Sequence, residues 1–326
     1  MSVLHSVLIP ENQRRSLDEL RDRLDLSSGD SKAKQSAYWI MLVLSAVIAI
    51  SGVIGDSTAT VIGAMIVAPL SIPILGVALG VTTGRRSVIV RSTVLLIAGV
   101  LLVVTLGFLF AQLLPNPSNV LTNSQVAGRT SPKLMDLTAA LATGVVAAVA
   151  MTRRDVSDVL PGVAVAISLV PPLGVVGVCL GSDSPGLAVG ALILFGSNVV
   201  ALILTAMTVF TLAGYPGESP APAGQKHRRT YTLLAAALIA VAVPMSVNSL
   251  NTLWAHQISD ATRAWLGTGG QVQDVTLQSS TATITVLGPA VLPPTDDLQR
   301  SVDSLVPWHP RVVVVHVVGG RTEVER

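Results

Sequence analysis

Several runs of this chain are longer and more apolar than any element of a soluble core needs. Residues 57–80 and 92–114 contain no Asp, Glu, Lys or Arg. Each exceeds the ~18–20 apolar residues that cross a ~30 Å hydrocarbon core as a helix. Composition agrees: half the residues are apolar and 12% are charged, against about a quarter charged in a soluble domain. The chain cannot cover a water-facing surface with charge. It is read as a polytopic α-helical membrane protein. The net charge of +2 says less than its distribution.

Seven spans are predicted, at about 37–54, 57–80, 92–114, 134–151, 156–180, 186–213 and 231–250. They sort the chain into a cytosolic lead (1–35), a first membrane repeat (36–114), an outer loop (115–133), a second repeat (134–213), a linker (214–230), a seventh helix (231–254) and an extracytoplasmic domain (255–326). The lead is polar, so the first span is expected to direct insertion. Within it "SLDELRDRLDL" has Ser16 and Glu19 at capping-box spacing, with Leu17, Leu20 and Leu24 on one helical face.

Positive charge gives the orientation. Twelve Lys and Arg near span ends fall on one side: Arg21, Arg23, Lys32, Lys34, Arg85, Arg86, Arg91, Arg153, Arg154, Lys226, Arg228 and Arg229. The other side's short loops hold Arg129 and Lys133. The split fits seven spans with a cytosolic N-terminus and an outer C-terminus. Tyr38, Trp39, Tyr231 and Trp254 stand at span ends, where amphipathic rings favour the headgroup layer. Residues 255–326 read as a small α-β-β-α-β domain, with "RVVVVHVV" a strand expected to be covered on both faces. A domain of ~70 residues buries a marginal core, so docking on the bundle or on a neighbouring copy is expected to help it.

The second span, "VIGAMIVAPLSIPILGVALG", is interrupted by Pro69 and Pro73, and the fifth by Pro161, Pro171 and Pro172. With a shift of 99 residues, Asp56 meets Asp155, Gly63 meets Gly162, Leu70 meets Leu169 and Pro73 meets Pro172. A two-residue slip sets "GVALG" on "GVCLG", and a shift of 98 sets "LLIAG" on "ILFGS". An odd number of spans per half inverts the second half relative to the first. Paired Gly/Pro-interrupted spans in inverted halves point to a central transport site. Proline frees backbone carbonyls, and those must be buried in protein or line a wet cavity. Kinks and close helix packing through glycine explain the same residues without a pathway.

The candidate pathway residues follow from the breaks. Asp56, Ser57 and Thr58 open the second span and Asp155 the fifth; the carboxylates equally suit a helix macrodipole. Pro69, Ser71 and Pro73 lie in the first break, Ser168, Pro171 and Pro172 in the second. Ser197 and Asn198 sit in the middle of the sixth span, where an amide needs a partner. Asp136 and Arg91 lie near span ends and read as snorkelling. If half-helix N-termini face inward, an anion is favoured.

Other chemistry has no support in the residues. The single cysteine, Cys179, lies in an apolar run, the five histidines have no ligand spacing, and no phosphate loop or nucleophile elbow is present. No cofactor, metal, nucleic-acid partner or enzyme activity is expected. "VIGAMIVAPLSIPILGVALG", "VSDVLPGVAVAISLVPPLGVVGVCLG" and "GALILFGSNVVALIL" together resemble the prokaryotic family of hydrophobic membrane proteins called domain of unknown function 389, over about residues 37–213. The family pattern falls on Gly63, Ala64, Pro69, Pro73, Gly76, Pro171, Pro172 and Asn198. The resemblance implies a bacterial protein of the cell (inner) membrane and no catalytic residues. The expectation is a transporter or channel-like protein for a small ion or molecule, in contact with lipid and self-associating. The alternative is a non-transporting sensor or assembly protein acting through the outer domain.

Overall fold

Helix α1 (Leu17–Leu24) starts where the capping box lies. The Ser16 hydroxyl accepts from the Glu19 amide at 3.2 Å and the Glu19 carboxylate accepts from the Ser16 amide at 3.3 Å. Leu17, Leu20 and Leu24 are buried. The computed structural model describes residues 9–113, 123–156, 169–218, 225–267, 270–278, 281–288 and 292–318.

Helix α2 (Ser31–Ile54) ends in a left-handed turn: Asp56 has φ +49°, and the Ser57 amide donates to the Gly52 carbonyl at 2.8 Å. This is the Schellman closure, and a short polar side chain tolerates the left-handed region better than most. Helices α3 (Thr58–Val67) and α4 (Ser71–Thr82) meet at a short break and are bent by 46°. Pro69 is the cause. It excludes Ala68 from helical backbone, and Ala68 is extended with ψ 123°. After the break, the Ile72 amide donates to the Pro69 carbonyl and α4 begins.

The chain continues through α5 (Arg86–Leu113), α6 (Ser124–Thr130), α7 (Leu134–Thr152), α8 (Val170–Gly181), α9 (Pro185–Leu212) and α10 (Gln225–Leu266). Among the described residues, α2, α5, α7, α9 and Tyr231–Leu266 of α10 are long and apolar enough to cross a membrane, and the α3–α4 pair makes a sixth if counted as one span. Helix α8 is equally apolar but has only 12 residues. The sequence ahead of it, with Pro161, Gly162 and Ser168, lies outside the described residues.

The helix bounds repeat. Helices α4 and α8 both have 12 residues, α5 and α9 both have 28, and each pair is offset by 99 at both ends. Gly84 and Asp183, also 99 apart, both take positive φ at the close of α4 and α8. The single offset replaces the two-residue slip and the shift of 98 suggested by glycine spacing. Glycines mark close approach, and the two halves approach different neighbours, so glycine positions need not keep register. Within the halves α4 packs on α5 and α8 on α9. Between them, α8 packs on α5 and α4 on α9.

Two clusters of contacts mark the ends of this bundle. At one, the Arg15 amide donates to the Thr152 carbonyl at 2.8 Å, Arg154 pairs with Glu19 at 2.7 Å, and Arg14 donates to the Ala213 carbonyl at 2.7 Å and pairs with Glu218 at 2.5 Å. At the other, α6 docks on the α2–α3 turn, and Gln112 donates to the Gly181 carbonyl at 2.9 Å.

Contacts divide the chain into units 1–245 and 246–326. In the second, β1 (Gln271–Gln278) and β2 (Thr281–Gly288) pair antiparallel, and β3 (Arg311–Val318) joins β2 in parallel after α11 (Thr295–Leu305), giving the order β1-β2-β3. Ala282, Ile284 and Val286 of β2 meet Leu298 and Val302 of α11 and Ile258 of α10 in one core. Val312 and Val314 face that core, whereas Val313, Val315 and Val317 are exposed. The two-sided cover expected for β3 is thus met on one face within this chain, because one helix can cover only one side of a three-stranded sheet.

Candidate functional site

Helix α8 begins inside the protein. Leu169, Val170, Pro171 and Pro172 are all buried. A proline in the first turn removes an amide that would have no intrahelical partner, so Pro171 and Pro172 allow a helix to start where water cannot reach its donors. Pro172 lines a cavity of about 250 Å³, together with Gly128 and Arg129 of α6, Asp136 and Ala139 of α7, and Leu194 and Asn198 of α9. Asn198 is 2% exposed. The Arg129 Nη1 donates to the Gln125 carbonyl at 2.8 Å and to its Oε1 at 3.0 Å, which holds the guanidinium at the cavity wall. The Asp136 carboxylate accepts from the Lys133 amide at 2.8 Å.

The matching place in the first half is filled. Gly99 stands 99 residues before Asn198, and a Cβ there would lie 2.7 Å from the Tyr38 hydroxyl oxygen and 3.2 Å from a Leu70 methyl. Tyr38 is 2% exposed. At the same offset Ala37 stands for Asp136 and Asp30 for Arg129, so the cavity's pair of opposite charges is not repeated.

The sequence candidates separate into four places. Pro172 and Asn198 share the cavity, and Pro171 and Ser197 are buried beside it; the Ser197 hydroxyl donates to the Leu194 carbonyl at 2.8 Å. Pro69, Ser71 and Pro73 shape the α3–α4 break and are not among the cavity's described lining residues. Ser168 lies outside the described residues. Asp155 pairs with Arg153 at 2.7 Å, beyond the far end of α7, whose 19 residues span ~28 Å. Sequence reasoning passed over Arg129 and set Asp136 at a span end. One available signal was that Arg129 closes a stretch, 92–128, without any Asp, Glu, Lys or Arg.

Asp56, Ser57 and Thr58 hold α6 in place. The Asp56 carboxylate accepts from the Ser124 hydroxyl at 2.6 Å and the Gln125 amide at 3.2 Å, while the Gln125 side chain donates to the Thr58 hydroxyl at 2.8 Å. Ser57 caps α3 through the Thr60 amide. Gln125 links this turn to Arg129, so the α2–α3 corner positions the cavity's cation. The Ser124 hydrogen bond, ahead of the Gln125 amide, holds the Asp56 carboxyl below its ordinary range. A depressed carboxyl pKa adds stability that is complete above the unfolded value, about 3.9, and is lost as pH falls through the folded one. The difference in thermal unfolding between wild type and Asp56→Asn is therefore expected to be full at pH 7 and to close below about pH 4. A difference that stays constant over that window would mean the charge on Asp56 does not hold α6.

Among the described residues, five helices long and apolar enough to cross a membrane, packed in a bundle, define the class: a polytopic α-helical membrane protein. Residues 65–204, from α3 through most of α9, match the family described as Domain of unknown function (DUF389), and the membrane core of this chain belongs to that family. An uncharacterized protein of Methanocaldococcus jannaschii is 31% identical over 217 residues, and the match spans 66% of this chain and 66% of the relative's length. No solved structure matches the chain.

Proposed function

We propose that the protein is a transporter or channel-like protein of the cell membrane, passing a small solute through the cavity at the start of α8. The observation that carries this reading is the cavity's chemistry: a half-helix start, a buried amide, a cation and a carboxylate meet between α6, α7, α8 and α9. Polar groups are costly in a membrane bundle and concentrate on pathways. In this reading the chain has seven spans, with α2–α5 and α7–α9 as inverted repeats. The 99-residue offset of α8 from α4 and of α9 from α5, and the reciprocal packing of α8 on α5 and α4 on α9, support it. The N-terminus is cytosolic and the C-terminal unit outside, because Arg14, Arg15, Arg153 and Arg154 cluster at one end of the bundle. Self-association belongs to the same reading, since α10 buries little of its surface within the chain.

Flux into liposomes tests it. Wild type is expected to pass at least one small ion, acid or amino compound, and Asn198→Ala to slow that flux by about tenfold, the effect of ~1.4 kcal/mol at the site. If both proteins are silent across the whole panel, transport is rejected.

A second reading, a sensor or assembly protein acting through its C-terminal unit, has its own support. That unit holds a cavity of about 470 Å³ lined by Leu250, Trp254, Leu277 and Trp308, with the two indoles edge-to-face at 4.4 Å. Removing residues 267–326 discriminates: flux that persists favours the transporter, and a cellular role lost from an intact bundle favours the sensor.

A further inference from the structure

The cavity holds opposite charges that do not satisfy each other. Arg129 and Asp136 both line it. Among the described residues neither lies within ion-pair distance of the other or of any other charged side chain. The Arg129 Nη1 is held by Gln125, and one Asp136 carboxylate oxygen by the Lys133 amide. Among the described residues, the guanidinium keeps Nε and Nη2, and the carboxylate its second oxygen, for another partner.

We infer that the cavity binds a small zwitterion, an amino acid-sized molecule whose carboxylate meets Arg129 and whose ammonium meets Asp136. The inference rests on the cavity being the protein's functional site. Charge bookkeeping selects this class. A bare anion would pair with Arg129 but face the Asp136 carboxylate, and a bare cation would meet the reverse. Each would bring a like charge beside one of these two part-buried groups and leave that group without a counter-charge. A zwitterion answers both and adds no net charge. An arginine fork suits a carboxylate because two parallel N–H donors match its two oxygens. Asn198, with a donor and an acceptor on one amide, stands at the same wall. Size agrees: about 250 Å³ is below the ~300–1,000 Å³ of sites for drug-sized ligands. The start of α8 adds a favourable dipole end but few donors, since Pro171 and Pro172 have no amide hydrogen; the guanidinium therefore supplies the hydrogen bonds.

The test is equilibrium binding to the full chain in lipid nanodiscs. The probes are glycine, alanine and β-alanine against acetate, methylammonium and chloride. At least one zwitterion is expected to bind about tenfold or more tighter than each singly charged probe. Arg129→Gln and Asp136→Asn are each expected to weaken it by about the same factor, and Asp136→Asn to bring acetate level with the zwitterion. The ligand comparison uses wild-type protein, so a variant that fails to fold does not spoil it. Acetate or chloride binding as tightly as every zwitterion, or no zwitterion binding at all, overturns the inference. Zwitterion binding without flux would reject the transporter and keep this assignment; chloride flux without zwitterion binding would do the opposite.

Discussion

Replacing Tyr215 with alanine is expected to cost about 3–5 kcal/mol, the range for deleting a large buried aromatic. Tyr215 is fully buried just past α9. Its ring stands edge-to-face on Phe210 at 6.1 Å, and the Arg14 guanidinium lies over it at 4.3 Å. The hydroxyl donates to the Arg15 carbonyl at 2.9 Å. One side chain thus ties the N-terminal segment to the end of α9, where Arg14 also holds Ala213 and Glu218. Tyr215→Phe keeps the ring and removes only the hydroxyl, so it should cost about 1 kcal/mol. Reversible unfolding in mixed micelles reads both, and limited proteolysis at residues 9–25 should rise with Tyr215→Ala alone. Equal costs for the two variants would mean the ring packing is not what holds this end together.

Gly177→Val should cost about 3 kcal/mol, the upper part of the overpacking range. A Cβ on Gly177 would press on the Val104 carbonyl oxygen and come within 2.8 Å of the Gly107 Cα and 2.9 Å of the Phe108 amide nitrogen. These are backbone atoms and cannot rotate away. Helices α5 and α8 must separate, and they form the seam between the two halves. Gly63→Ala is the control. It lies on α3 with nothing within 4 Å of its built Cβ, so it should gain about 0.5–1 kcal/mol from helix propensity. If Gly177→Val unfolds no more easily than Gly63→Ala, the two helices are not in backbone contact.

These two glycines show how far pattern reading reached. Both stand out in the sequence as interruptions of apolar spans. One is an open helix position and the other a backbone contact, and nothing in their neighbours along the chain tells them apart. The α3–α4 break was legible because Pro69 acts on the residue beside it. The capping box at Ser16 and the α-β-β-α-β order of the C-terminal unit were legible for the same reason: each signal and its effect are local. The cavity was half legible. Pro172 and Asn198 announce themselves as a helix breaker and an amide inside apolar runs. Arg129 and Asp136 do not, since they sit beside loop and cap residues that would suit any exposed turn.

By itself, the sequence determined the class of protein, because lipid imposes length and charge limits that each segment must meet alone. It also carried a recurrence near 99 residues, whose single register the helix bounds then fixed. Only the tertiary structure decided that one half keeps a cavity while Tyr38 closes the matching place in the other. It also decided that Asp56 works through Ser124 and Gln125, 68 and 69 residues away. The physical reason is that burial and hydrogen bonding depend on which side chains share a volume, and that volume exists only once distant helices have packed.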